Sequence, residues 1–473
     1  ATRLSLSLGR YATFTERLDH GGQVGRFDYL LGQSWRRSDG HRSHADGRLG
    51  DGYGSLGYAL DEHWTVRGFV LHTDSAAHDP GPRGNADARE GRYETRSTLG
   101  TLSLSHRYDE TEGSLKLYAS HGIGDWFDQP DGDGDTLNTW DLYGMRAREA
   151  LHLWPGGEIL LGLDLDWLAG ETDFRPVGQP ATAFERETLW LASPSAAVSH
   201  EFGSRDRLSL TPSLGVRHSR HSDFESTWAP HAGLVLAHRG TELYGAWSRG
   251  VSYPGLNTVV FHENFWQAVP TNDPEGWRDL EPERLDHLEI GLRQALPRDL
   301  EVTLSAFRDE GRNRYVVVMP PPPPPHFENI AEYTTTGGEA TLTWQASRDL
   351  SFFVGVTHLR SDPSDLPYAP SWSTSMGLTW QMTERLTLHL DAQRVGGMEV
   401  LSRDRTATAA NRQSVSAQTI VNGKLVCVLN QAETGPRVRA FVAVENLTDS
   451  NYETLPGYPM PGISPSLGVE VSF

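Results

Sequence analysis

The 473-residue sequence holds a single cysteine, Cys427, which excludes an internal disulfide framework and any cysteine-based zinc site. Long apolar runs are missing too. Nowhere do roughly 18 apolar residues follow one another without a charge, so no segment can cross a bilayer as a helix. Basic residues are in the minority: 42 Lys and Arg face 62 Asp and Glu, a formal charge of -20. That is the wrong sign for a phosphate backbone, and nucleic acid is excluded as a partner. A nucleophile elbow, a Walker loop and a metal-ligand triad are also lacking, so nothing argues for an enzyme.

The missing helix does not exclude a membrane. A transmembrane barrel strand shows lipid only every second side chain, which dilutes its apolar signal by half. Hydrophobic residues make up 37% of the chain, with 48 glycines, 14 tryptophans and 15 tyrosines. This mixture suits strands, tight turns and interfacial aromatic girdles. Several windows alternate strictly. Leu161, Leu163, Leu165 and Trp167 point one way, and Gly162, Asp164 and Asp166 the other. Leu386, Leu388 and Leu390 oppose Thr387, His389 and Asp391, and Leu115, Leu117 and Ala119 oppose Lys116, Tyr118 and Ser120. A period of two means a strand with one greasy and one polar face.

A soluble sandwich would alternate in the same way, but its connections would differ. Here very short ones (Asp61 to His63, Pro155 to Gly157, Arg239-Gly240, Pro297 to Asp299, Arg348-Asp349) are interleaved with long polar loops such as 72–92, 126–136, 252–281 and 319–330. A transmembrane barrel does this because one rim faces the periplasm and the other the outside. Strands then fall near 2–12, 13–22, 157–173, 299–318, 385–398 and 464–473, among others. The whole set comes to about 22, an even number in the size class of plugged outer-membrane transporters. The expected fold is all-β: a single antiparallel transmembrane β-barrel over 1–473, with short periplasmic turns and long extracellular loops. Outer-membrane lipid is its first partner. No signal peptide is visible and the chain opens in a strand-like run, Arg3 to Leu8, so its start reads as processed or cut. Its last strand alternates Leu467, Val469, Val471 and Phe473 with Gly468, Glu470 and Ser472.

Three stretches carry a family resemblance. Val444-Glu445-Asn446-Leu447-Thr448-Asp449, with Asn451-Tyr452 and Gly457-Tyr458-Pro459-Met460-Pro461-Gly462, resembles the C-terminal pattern of TonB-dependent outer-membrane receptors. The run from Leu280 to Leu292 is similar to the entry to a mid-barrel strand in that family. Phe27-Asp28-Tyr29-Leu30-Leu31 with Ser38-Asp39-Gly40 is similar to its early hairpin. The resemblance implies import of a scarce nutrient, such as a siderophore, a corrinoid, haem or a similar metal chelate, driven by the TonB complex. It also implies an N-terminal plug through which TonB acts, and no plug is expected within 1–473. A trimmed plug, a plug on a separate chain and a plugless barrel stay open. The alternative function is a passive porin-like channel, and a distant one is an outer-membrane barrel hydrolase.

Candidate ligand contacts lie in the long loops. The connection 252–281 holds Tyr253, His262, Phe265, Trp266 and Trp277, whose rings could grip a flat or greasy ligand. The same residues could simply pack the loop on itself, and His262 could be a haem ligand or merely solvated. Pro320 to Pro325, flanked by His326 and Phe327, lacks N–H donors and should form a stiff polyproline rod. It could shape ligand entry or only stiffen a loop. Asp131, Asp133 and Asp135 alternate with glycines and could wrap Ca²⁺ in an extracellular loop. The distal glutamate of such a loop is missing, its place being taken by Leu142, and a solvated acidic turn is the blander reading. No other cofactor is indicated.

Overall fold

The computed structural model describes residues 1–83, 91–129, 134–260, 276–318, 326–329, 332–401, 412–430 and 435–473. Its main sheet runs through β1 (Thr2–Gly9), β2 (Thr13–Val24), β3 (Phe27–Ser38), β4 (Gly47–Ala59), β5 (Trp64–His78), β6 (Arg92–Arg107) and β7 (Thr111–Gln129). It continues through β8 (Gly134–Trp154), β9 (Gly157–Arg175), β10 (Thr182–His200), β11 (Leu208–His221), β12 (Thr227–His238), β13 (Thr241–Ser252), β14 (Glu283–Leu296) and β15 (Leu300–Arg312). The remainder are β16 (Tyr333–Ser347), β17 (Leu350–Asp362), β18 (Trp372–Thr383), β19 (Leu386–Val395), β20 (Gln418–Asn430), β21 (Arg437–Glu445) and β22 (Ser464–Ser472). A short piece, Phe202–Ser204, extends β10 past Glu201. Each strand pairs antiparallel with its neighbours in sequence. β22 then pairs with β1, Arg3 facing Ser472 and Gly9 facing Ser466, so the sheet closes and has no edge.

Apart from bulges in six strand pairs, facing residues share one side of the wall. Leu163 lies between Ala147 and Pro194, and Trp167 between Tyr143 and Trp190. Asp164, one residue away, lies between Arg146 and Ser193. Exposure is inverted relative to a soluble protein: Leu161 is 43% and Ile290 62% exposed, whereas Asp164 is 3% exposed. Greasy side chains facing outward in a closed sheet form the surface that a bilayer covers. Aromatic rings edge that band on both sides. Trp64, Trp154, Trp344 and Trp380 lie toward the short-turn rim. Tyr143 and Trp167, stacked at 5.7 Å, lie toward the other with Trp228.

The two rims differ as the connection lengths demand. Arg239 and Gly240 alone join β12 to β13. Arg298 and Asp299 turn β14 into β15 with left-handed φ of 68° and 54°, the backbone that matches strand twist in tight hairpins. The opposite rim carries small hairpins of its own, Tyr315–Val318 with His326–Asn329, Met398–Leu401 with Arg412–Val415, and Glu453–Leu455 with Tyr458–Pro459. One of these departs from expectation. The strand anticipated over 299–318 stops at Arg312, because Asn313 adopts φ 59°, a conformation asparagine tolerates better than most residues. Tyr315–Val318 then pairs away from the barrel. The proline run between the two strands of this hairpin lies outside the described residues.

Candidate functional site

Two regions can meet a solute, the lumen wall and the long-loop rim above it. On the lumen side of β8, β9 and β11, three guanidiniums surround two carboxylates. Arg148 donates from Nη1 and Nη2 to Asp164 at 2.7 and 3.1 Å, and Arg217 Nη2 donates to Asp164 Oδ2 at 2.7 Å. Arg146 reaches Asp164 at 3.4 Å and Asp166 at 2.8 Å, and Asp166 also accepts from the Tyr118 hydroxyl. Glycine makes room for this: a Cβ at Gly144 would overlap the Tyr118 ring and the Leu165 carbonyl. Charges held in a partly desolvated wall persist only when paired and hydrogen-bonded, as these are.

Further pairs line the same face. Arg17 donates to Asp19 at 2.8 Å and to the Tyr53 hydroxyl at 3.1 Å. Arg3 and Arg439 flank Glu470. His287 bonds Asp309 at 2.6 Å, and Tyr244 donates to Glu289 at 2.9 Å. The sequence pattern placed Asp164, Asp166, His389 and Asp391 on the lumen face. There His389 meets Thr379 at 3.1 Å, and Asp391 accepts from Asn422 at 2.7 Å. Sequence reasoning missed the cations opposite the two aspartates. The available signal was the spacing of two between Arg146 and Arg148, on the same face as Gly144.

At the long-loop rim, Tyr253, Trp277 and Phe327 come together. Trp277 sits in a single turn of 3-10 helix, Gly276–Asp279, and is 2% exposed. It packs with Phe184, Leu189, Phe224, Val259 and Leu280, and half-buried Tyr253 and Phe327 close the periphery. The Phe224 ring meets Trp277 edge-on at 5.8 Å, and Arg278 lies 4.6 Å from the indole centre. The Tyr253 hydroxyl is 2.8 Å from Thr227 Oγ1 and 3.2 Å from the carbonyl oxygens of Ser219 and Glu225. Asn329 ties the neighbouring hairpin down, donating to the carbonyls of Glu281 and Asn313 at 2.9 and 2.7 Å. Phe184, Leu189, His221 and Phe224 were not singled out from sequence, since nothing local marks a residue that packs across several loops.

The other candidates scatter. His262, Phe265, Trp266, Asp131 and Asp133 lie outside the described residues. His326 pairs through its backbone with Val318. Asp135 is the second residue of β8, where its Oδ1 accepts from the Asp128 N–H at 2.9 Å. Among the described residues no three His, Cys, Asp or Glu side chains gather in a metal-holding group.

Trp277→Ala should remove about 3–5 kcal/mol from this cluster, since a large buried ring is lost with little room to collapse. Hydrogen exchange at 253–260 and 276–281 should quicken while exchange in β14 is unchanged. Equal protection in the variant would mean that the indole does not hold the loop. The His221 ring, 5.0 Å from Tyr253 and 4.8 Å from Phe224, adds a pH response. Burial holds its pKa below the ordinary 6.5, against the opposing pull of Asp223. The opened loop therefore takes a proton more readily than the packed one. Stability of the cluster is kept above 6.5 and lost as pH falls from there toward the lowered value. Exchange rates between pH 8 and 5 should show this loss, and His221→Phe should flatten it.

A family model described as TonB dependent receptor-like, beta-barrel matches residues 4–447. The chain belongs to that family. The receptor barrel is thus a multi-pass outer-membrane protein, its short-turn rim periplasmic and its long-loop rim extracellular. Solved structures agree on the fold. The ferric-catecholate import receptor Fiu of E. coli K12 superposes with a TM-score of 0.77 at 14% identity, over 100% of this chain and 81% of that one. The ferric enterobactin receptor PfeA of Pseudomonas aeruginosa, in complex with enterobactin, gives 0.76 at 16% over 100% and 81%. The copper transporter OprC gives 0.74 at 14% over 100% and 82%. No curated protein matches the sequence.

Proposed function

We propose that this receptor barrel is the conduit of a TonB-coupled importer for a siderophore-type metal chelate. The observation that carries the reading is the lumen wall of a barrel too wide to fill with its own side chains. That wall presents the Arg146, Arg148 and Arg217 guanidiniums against only Asp164 and Asp166, a local cationic excess in a chain of net charge -20. Such a patch attracts an anionic ferric chelate or the acidic face of a plug. In this proposal the gate is a plug seated against the wall, and the plug carries the contact with TonB. Tyr253, Trp277 and Phe327 belong to one packed cluster at the extracellular rim. In this reading His262, Phe265, Trp266 and His326 are the residues whose rings contact the ligand. The neighbours named for ferric-catecholate import, ferric enterobactin and copper favour a metal cargo over a passive channel.

The test is growth of cells that depend on the complete receptor under iron, cobalamin or haem limitation, with and without TonB. Iron shortage should make the receptor necessary, and only when TonB is present. Indifference to all three shortages would overturn the import reading, and uptake without TonB would replace it with a passive pore. Lipid and peptide hydrolysis assays should show no activity.

A further inference from the structure

Where β22 closes onto β1, the lumen wall holds a polar cavity of about 290 Å³ just inside the extracellular rim. Its floor is made of small side chains. Register sets Thr15 between Ser7 and Arg36, and one lumen-facing step higher it sets Gly9 between Thr13 and Ser466. A Cβ at Gly9 would meet the side chains of Ser466 and Thr13 at 3.3 and 3.5 Å, so glycine keeps this floor low. Two connections roof it. Arg10 donates from Nη1 to the Ile463 carbonyl at 2.6 Å, and His41 donates from Nε2 to the Pro459 carbonyl at 2.7 Å. Gly40 and Pro461 complete the lining.

Little of the polarity of this cavity is spent. Elsewhere on the lumen wall arginine is answered by carboxylate: Arg17 by Asp19, Arg148 by Asp164, Arg439 by Glu470. Among the described residues the Arg36 side chain makes no hydrogen bond or ion pair, and neither do those of Ser7, Thr15, Ser466 and Glu445. Arg36 stands on β3 at one side of the seam. Glu445, opposite Ser464 at the end of β21, stands at the other. The three free hydroxyls lie between them on β1, β2 and β22. A guanidinium, a row of hydroxyls and a carboxylate together ask for a ligand that is anionic at one end and rich in hydroxyls along its length.

We infer that this cavity binds a small polyhydroxylated carboxylate, the class of the sugar acids and hydroxy acids. Arg36 takes the carboxylate in the fork geometry that suits a guanidinium. Ser7, Thr15 and Ser466 exchange hydrogen bonds with the ligand hydroxyls, since each can both give and accept. Glu445 accepts from a hydroxyl at the far end. The volume is at the low end for a ligand pocket, which suits a molecule of monosaccharide size and leaves a bulky metal chelate outside. The site is therefore separate from the cargo proposed above. A ligand held here joins β3 to β21 across the closure of the barrel, and it stabilises the closed sheet by mass action.

Binding can be measured by calorimetric titration of the purified receptor in detergent micelles with gluconate, glucose and inorganic phosphate. Gluconate should bind at least about tenfold more tightly than glucose, the factor that a charge-assisted hydrogen bond supplies. Arg36→Gln should weaken gluconate by about that factor and leave glucose unchanged, while Arg36→Lys keeps part of the preference. Thr15→Val combined with Ser466→Ala should weaken gluconate and glucose alike. Absence of gluconate binding, equal affinity for gluconate and glucose, or an unchanged affinity in Arg36→Gln overturns the assignment. Phosphate bound as tightly as gluconate overturns it in favour of a free-anion site. Should Arg36→Gln fail to fold, as judged by heat-modifiable migration on gels, the three-probe comparison on the unmodified receptor decides alone.

Discussion

Asp164→Asn should cost the barrel about 3–5 kcal/mol, the penalty for stripping the counter-charge from a buried ionic group. The Asp164 side chain is 4% exposed and holds Arg148 and Arg217 at 2.7 Å each. Asparagine keeps the shape and part of the hydrogen bonding but leaves three guanidiniums around Asp166 alone. Denaturant titration of the barrel folded in vesicles would read the loss directly. Adding Arg148→Met to Asp164→Asn should recover part of it, since two partners removed together leave fewer charges stranded, and the coupling between them should lie at about 0.5–3 kcal/mol. A loss under about 1 kcal/mol would instead place this network in open water, where exposed ion pairs are worth little.

Leu304→Arg and Ser305→Arg, one residue apart on β15, should differ sharply. Leu304 faces Leu292 and Ala340 on the lipid side and is 45% exposed. A guanidinium there should cost about 2–4 kcal/mol, the range for Arg near the bilayer midplane. Ser305 points into the lumen beside Glu339, where an arginine finds water and a carboxylate. Its cost should stay under about 1 kcal/mol. Comparable losses at both positions would mean that the assignment of lipid and lumen faces is wrong for this part of the wall.

The barrel was legible from sequence to an unusual degree because its two strongest constraints are local. A period of two is written in stretches such as Leu161 to Trp167. The contrast between Arg239-Gly240 and the connection 252–281 is written in turn residues. Neither depends on a distant partner. The break at Asn313 was missed because an apolar run, Tyr315–Val318, continued the pattern of β15 beyond the point where the backbone turns left-handed. The candidate site was less legible. Tyr253, Trp277 and Phe327 were noticed for their chemistry, yet what they touch is set by Phe184 on β10 and by Phe224 in the connection between β11 and β12. The positions of Arg146, Arg148 and Arg217 against Asp164 likewise depend on how three strands slide past one another.

By itself, then, the sequence determined that this chain is a barrel with a greasy outside and a polar inside, and which side chains belong to each. Alternation in a strand decides that one residue at a time. Only the tertiary structure decided which charges meet across the wall and which rings fill the loop cluster. It alone also decided that Arg36, Thr15 and Ser466 line one cavity. Pairing across strands is a matter of register, and register is fixed when the whole sheet closes from β22 onto β1. No window of sequence contains that closure, so the face of each residue could be read in advance but its neighbours could not.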